Sequence, residues 1–71
     1  MQTLKRLKSS MLRGVYYDHT TQELTVRFYN GTLYKYHDVP VNIYESLLQA
    51  DSKGRFFIRN IRESYNWERV R

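Results

Sequence analysis

Residues Glu23 to Asp38 read ELTVRFYNGTLYKYHD, and the way this stretch doubles back decides the architecture. Leu24, Val26 and Phe28 alternate with Thr25 and Arg27, and Tyr34 and Tyr36 alternate with Leu33, Lys35 and His37. A period of two in β-branched and aromatic residues predicts two strands, and Asn30-Gly31 between them predicts a tight hairpin. Two registers compete. A two-residue type I′ loop pairs Phe28 with Leu33 and Val26 with Lys35, mixing apolar and charged side chains on one face. A three-residue loop, Tyr29-Asn30-Gly31 with Gly31 left-handed in a G1 bulge, pairs Phe28 with Thr32, Val26 with Tyr34 and Leu24 with Tyr36. That register gathers the apolar face and leaves Thr25, Arg27, Leu33 and Lys35 on the other, so it is the one expected.

Upstream, Met11 to Asp18 (MLRGVYYD) sets Val15 and Tyr17 on one face and Tyr16 opposite, a third strand. The short polar links allow only antiparallel neighbours. Downstream, the period changes at Val39-Pro40, where proline removes a donor and suits a first helical turn. Ile43, Tyr44, Leu47 and Leu48 recur at helical spacing, predicting a helix over about 40–50; Asn42 with Glu45 also fits a capping box, which leaves the start open. Ser52 is the next N-cap candidate, opening a second helix to about Ser64 or Tyr65 with Phe57, Ile58, Ile61 and Tyr65 on one side. The expected fold is α+β, a three-stranded antiparallel β-meander followed by two α-helices covering one sheet face. A single domain over 9–65 is expected, with a basic segment at 1–8 and a short tail at 66–71.

Composition narrows the function. The chain has 71 residues, a net charge of +5, no cysteine and two histidines. One core is all this length supports. Disulfide and thiolate chemistry is excluded, as is a His-rich metal site. No apolar run approaches the length of a membrane span. MQTLKRLK at residues 1–8 carries three basic groups but no apolar h-region follows, so a cytoplasmic location is expected. His19 and His37 fall near one end of the sheet with Asp18, Glu23 and Asp38, but the flanking strands hold their ends about 10 Å apart. No nucleophile, base and orienting group assemble around Ser9, Ser10 or Ser52, so neither catalysis, metal nor cofactor is expected.

Several landmarks occur in a recognisable order: Ser9-Ser10, Tyr17-Asp18, Phe28 with Asn30-Gly31, Tyr34-Lys35-Tyr36, and Asp38-Val39-Pro40. They continue with Tyr44 and Leu47, Ser52-Lys53-Gly54 with Phe57, and Ile61-Arg62 with Tyr65. Over Ser9 to Tyr65 the chain resembles the KTSC domain, a small family named for its place at the C-terminus of some lysyl-tRNA synthetases and also found as stand-alone bacterial and phage proteins. The resemblance implies a small accessory domain, and the synthetase context implies RNA binding. Tyr16 stands where the family more often has a small residue.

Charge is unevenly distributed. Residues 1–13 carry four basic groups and no acid, residues 14–51 a net charge of −3, and residues 52–71 six basic groups against Glu63 and Glu68. Should the termini lie together, the two basic ends would form one positive surface. Arg55, Arg59 and Arg62 recur on one side of the second helix. With Lys53, Lys5, Arg6 and Lys8 they are the candidate contacts to phosphate, although a solvated helix face would carry the same residues. Ser52-Lys53-Gly54 offers free N–H groups at a helix start, or simply a cap and a close-packed glycine.

The sheet face left uncovered presents Tyr16, Tyr29, Leu33, Arg27 and Lys35, suited to stacking single-stranded bases or to an interface. Two readings follow. One is a non-catalytic module binding RNA or single-stranded nucleic acid through the basic helix face. The other is a protein-interaction or accessory module, homodimeric in one form, using the uncovered sheet face or an edge at residues 11–18 or 32–38.

Overall fold

A computed structural model of the chain describes residues 9–71 and the backbone pairing of Lys5–Arg6. Its central hairpin has the bulged register: Leu24 opposes Tyr36, Thr25 opposes Lys35, Val26 opposes Tyr34 and Arg27 opposes Leu33. Gly31 takes φ 92°, in the left-handed region that favours glycine. Its N–H donates to the Phe28 carbonyl at 3.0 Å, and the Phe28 N–H donates to the Thr32 carbonyl at 3.0 Å. Asn30 Oδ1 closes the turn by accepting from the N–H and hydroxyl of Thr32.

Strands β2 (Leu12–Asp18), β3 (Glu23–Phe28) and β4 (Leu33–Tyr36) form the antiparallel meander, and helices α1 (Val41–Gln49) and α2 (Lys53–Asn60) cover one face. Two short strands extend the sheet. β1 (Lys5–Arg6) pairs with Gly14 and Val15 of β2, and β5 (Trp67–Arg69) pairs with Tyr34 to Tyr36 of β4, giving the order β1-β2-β3-β4-β5. The strands at 12–18 and 33–36 are therefore interior, and neither offers the free edge that the meander alone predicts. Strands near the two termini stand on opposite sheet edges, about 19 Å apart at four strand spacings. The basic ends thus do not meet side by side along the sheet.

The core comprises Leu12, Val15, Tyr17, Leu24, Val26 and Tyr36 from the sheet, Val39 from the connection, and Leu47, Phe57 and Ile61 from the helical layer. Leu12 breaks strict alternation with Val15 and Tyr17. A bulge accounts for it: Leu12 opposes Phe28 and Gly14 opposes Arg27, so Arg13 is an extra residue and Leu12 swings inward. Ser9 leads into this bulge, its hydroxyl accepting from the N–H groups of Met11 and Leu12, both at 3.1 Å.

At the far end of β2, Asp18 accepts from the N–H of Thr20 at 2.8 Å and of Thr21 at 3.3 Å. Those backbone donors hold its carboxyl below the usual range. The Tyr17 hydroxyl donates to the Val39 carbonyl at 2.6 Å and its ring stacks on Tyr44 at 4.4 Å, fastening the connection and α1 to the sheet.

Pro40 is the N-cap of α1 and Ala50 its C-cap; no side chain caps the N-terminus, so the Asn42–Glu45 box does not form. Ser52 caps α2, accepting from the Arg55 N–H at 3.3 Å. α2 stops at Asn60, short of the expected end. The N–H groups of Ile61 and Arg62 both donate to the Phe57 carbonyl, a widened last turn that seats Ile61 in the core. Ile58, expected on the buried side, is 40% exposed because Phe57 and Ile61 define that side.

Candidate functional site

Cationic side chains expected to share one helix face are distributed over three environments. Arg55 and Arg59 project from the solvent side of α2 and line a shallow groove of about 280 Å³ with Ala50, Asp51, Ser52, Phe56 and Asn60. Among the described residues neither forms an ion pair. Arg62 lies beyond the helix end and borders a different concavity. Lys53 reaches back, its Nζ donating to the Ala50 carbonyl at 2.9 Å, so its ammonium ties α2 to the C-terminus of α1. Lys5 and Arg6 lie at register positions opposite Val15 and Gly14, their side chains outside the described residues, as is Lys8.

Gly54 packs against the segment entering β2. A Cβ there would lie 3.3 Å from Met11 Cβ and 3.8 Å from Ser9 Oγ, so this glycine is a close helix–strand contact. The start of α2 and the Ser9–Met11 approach to β2 are thereby neighbours.

The face away from the helices is less open to ligand than its sequence implies. Tyr16, Arg27, Leu33 and Lys35 are all half-buried. Arg27 opposes Gly14 on one side and Leu33 on the other, and among the described residues Arg27 Nε is buried without a hydrogen-bond partner. Lys35 is 3.8 Å from the Glu23 carboxylate. His37 stands between two carboxylates, Nδ1 at 3.4 Å from Glu23 and Nε2 at 3.2 Å from Glu68 of β5. Tyr29 is 58% exposed at the hairpin tip. His19 sits on the opposite side of the sheet, edge-on to Tyr17 at 4.9 Å. No group of three or more metal-ligating side chains gathers among the described residues.

One aromatic concavity escaped the sequence reading, which assigned Tyr34 and Phe28 to the core and left Trp67 in the tail. It lies on the helix side of the sheet between β4, β5 and the end of α2, has a volume of about 630 Å³, and is walled by Phe28, Tyr34, Tyr36, Phe57 and Trp67. Arg62, Glu63, Asn30 and Thr32 supply its polar rim. The sequence carries little signal for this concavity, since Trp67-Glu68-Arg69-Val70 does not alternate apolar with polar residues. Three residues are simply too few to declare a strand. Tyr36 is held in its protonated form, its hydroxyl pushed up to about 12 by burial and, to a lesser degree, by Tyr34, with Arg62 acting in the opposite sense.

No helix among the described residues is long and apolar enough to cross a membrane. A lysine-tRNA ligase of Nostoc sp. is 34% identical over 67 residues, which cover 94% of this chain and 12% of the ligase. The chain therefore spans about an eighth of the ligases it matches. An uncharacterized protein of Stutzerimonas stutzeri is 49% identical over 51 residues, 72% of each chain. The crystal structure of a KTSC domain protein from Yersinia pestis superposes with a TM-score of 0.92 at 26% identity, covering all of both chains. The sequence model of the KTSC domain matches residues 8–65, which takes in the meander, both helices and the turn after them. By sequence and by fold alike, this chain belongs to the KTSC domain family.

Proposed function

We propose that this domain is a non-catalytic module that binds RNA or single-stranded nucleic acid through the basic face of α2. The observation that carries the reading is the state of Arg55 and Arg59, which share a groove and, among the described residues, are engaged by no carboxylate within ion-pair distance. Guanidinium groups held on a rigid helix and free of ion pairs are suited to phosphate oxygens. Lys5, Arg6 and Lys8 would extend this surface, since Ser9 and Met11, which follow them in the sequence, lie beside the start of α2. The ligase relatives, whose name includes tRNA, lend the reading support.

The test is binding of the purified protein to single-stranded RNA, duplex RNA and single-stranded DNA at ~50 and ~200 mM salt, beside an Arg55→Ala/Arg59→Ala variant. A single-strand site that loses two phosphate contacts should flatten by roughly 1.4 in the slope of log K against log salt. Equal weak binding to every polymer, unaltered in the variant, would reduce the surface to an unspecific cation.

A second reading draws on Arg27. A buried Nε with no partner among the described residues, on the half-buried outer face, is what a protein acceptor would satisfy, in a heterologous complex or a homodimer. Sedimentation equilibrium of the wild type and Arg27→Leu decides it: a dimer that the substitution disperses supports an interface there, and a wild-type monomer with no partner removes it.

A further inference from the structure

The aromatic concavity takes no part in the phosphate surface on α2, yet it has the form of a ligand site. Its volume of about 630 Å³ falls within the range of small-ligand pockets. A row of rings leads outward from the core: Tyr36 to Phe57 at 5.5 Å, Phe57 to Phe28 at 5.6 Å, Phe28 to Tyr34 at 5.7 Å, and Tyr34 to Trp67 at 5.2 Å. The inner rings are fixed by packing, whereas Trp67 is 53% exposed. An indole oriented by a stacked neighbour and left half in water is pre-organised to receive a flat partner.

The rim determines the partner's charge. The Arg62 side chain is half exposed and its Nη2 lies 3.9 Å from the Glu63 carboxylate, a loose pairing that leaves donors free. A cation beside an aromatic wall suits a base joined to a phosphate, and Glu63, Asn30 and Thr32 add groups able to meet a base edge. A duplex would present no free base face to this wall.

We infer that the concavity receives one unpaired nucleobase of a single-stranded RNA, stacked on Trp67, with the adjoining phosphate on Arg62. The inference rests on the nucleic-acid reading above and adds the place where a base is held.

Trp67 is the sole tryptophan, so its emission reports this site alone. The experiment titrates the protein with a short single-stranded RNA, the same strand made abasic, the matching duplex and a nucleoside monophosphate. Trp67→Ala and Trp67→Phe are measured by a label on the strand. The expected result is quenching by the intact strand and about 5- to 150-fold weaker binding of the abasic strand, the range that stacking of one base supplies. Trp67→Ala should bind intact and abasic strands alike while keeping the salt dependence, and Trp67→Phe should recover most of the difference. Salt-dependent binding with Trp67 emission unmoved and the abasic strand equal would overturn the base site and leave the α2 surface standing. A mononucleotide as tight as the strand would overturn the strand reading in favour of a small nucleotide. Absence of binding to every polymer at the lower salt would overturn both proposals.

Discussion

Trp67 lies flat on Tyr34, ring centroids 5.2 Å apart and planes 9° from parallel. The pair joins the outermost strand to its neighbour: Trp67 stands opposite Tyr36 in the ladder, while its ring leans across to the adjacent row. Every residue of β5 is exposed, so this stack is the chief apolar contact holding that strand. Tyr34→Leu should therefore preserve the fold, shift Trp67 emission to the red and cost about 0.5–1.5 kcal/mol beyond the lost area. An unshifted emission spectrum would show that the ladder alone positions the indole.

On the other face the same strand is held by polar side-chain contacts. His37 reaches Glu23 of β3 through one ring nitrogen and Glu68 of β5 through the other, while its backbone N–H donates to the Asn66 carbonyl at 2.8 Å. Partly exposed pairs of this kind contribute little to global stability, on the order of 0–1 kcal/mol. Their effect should be local. His37→Ala is expected to speed hydrogen exchange at the Val70 and Leu33 amides, which bond to the Leu33 and Arg71 carbonyls, and to leave the Val26 amide protected. Uniform acceleration through the core would mean that β5 does not open independently.

How much was legible in the sequence differs between these elements for physical reasons. The hairpin register could be deduced because only the bulged loop keeps Val26 and Leu24 facing tyrosines, and hydrophobic burial enforces that choice. α1 and the Ser52 cap were legible from proline, spacing and a hydroxyl. β1 and β5 were not, because two- and three-residue strands exist only through their neighbours' ladders. The dispersal of the arginines has the same origin: helical spacing puts Arg62 with Arg55 and Arg59, but the widened turn at Ile61 carries it to the aromatic concavity.

The bulge at Arg13 makes a sharper prediction about the core. Alternation counted back from Val15 assigns Arg13 and Met11 inward, whereas Leu12 is fully buried and Arg13 exposed. Leu12→Ala should then cost about 2–5 kcal/mol, as expected for a buried leucine, and Arg13→Ala within about 0.5 kcal/mol. Urea unfolding of the two variants measures both. The reverse ranking would place the bulge elsewhere.

Tyrosine burial sets the alkaline limit of stability. Tyr36 is 1% exposed and burial, followed by the neighbouring Tyr34, pushes its hydroxyl from 10.0 up to about 12; burial also raises Tyr17 and Tyr44. The sign follows from which state binds the proton more tightly. Below pH 10 both folded and unfolded chains keep the Tyr36 proton, and its contribution is fully present. Between about pH 10 and 12 the unfolded chain releases the proton and the folded chain does not, so stability falls by about 1.4 kcal/mol per pH unit. Once the folded group also ionises, the loss levels off at no more than about 2–3 kcal/mol, less to the extent that the hydroxyl reaches the wet concavity. Tyr36→Phe removes the ionisable group while keeping the ring against Phe57, so its urea midpoint should decline less steeply above pH 10 than that of the wild type. Parallel decline in both proteins would assign the alkaline loss to Tyr17 and its stacked partner Tyr44, which lie across Leu24 from Tyr36 in the same row of the sheet.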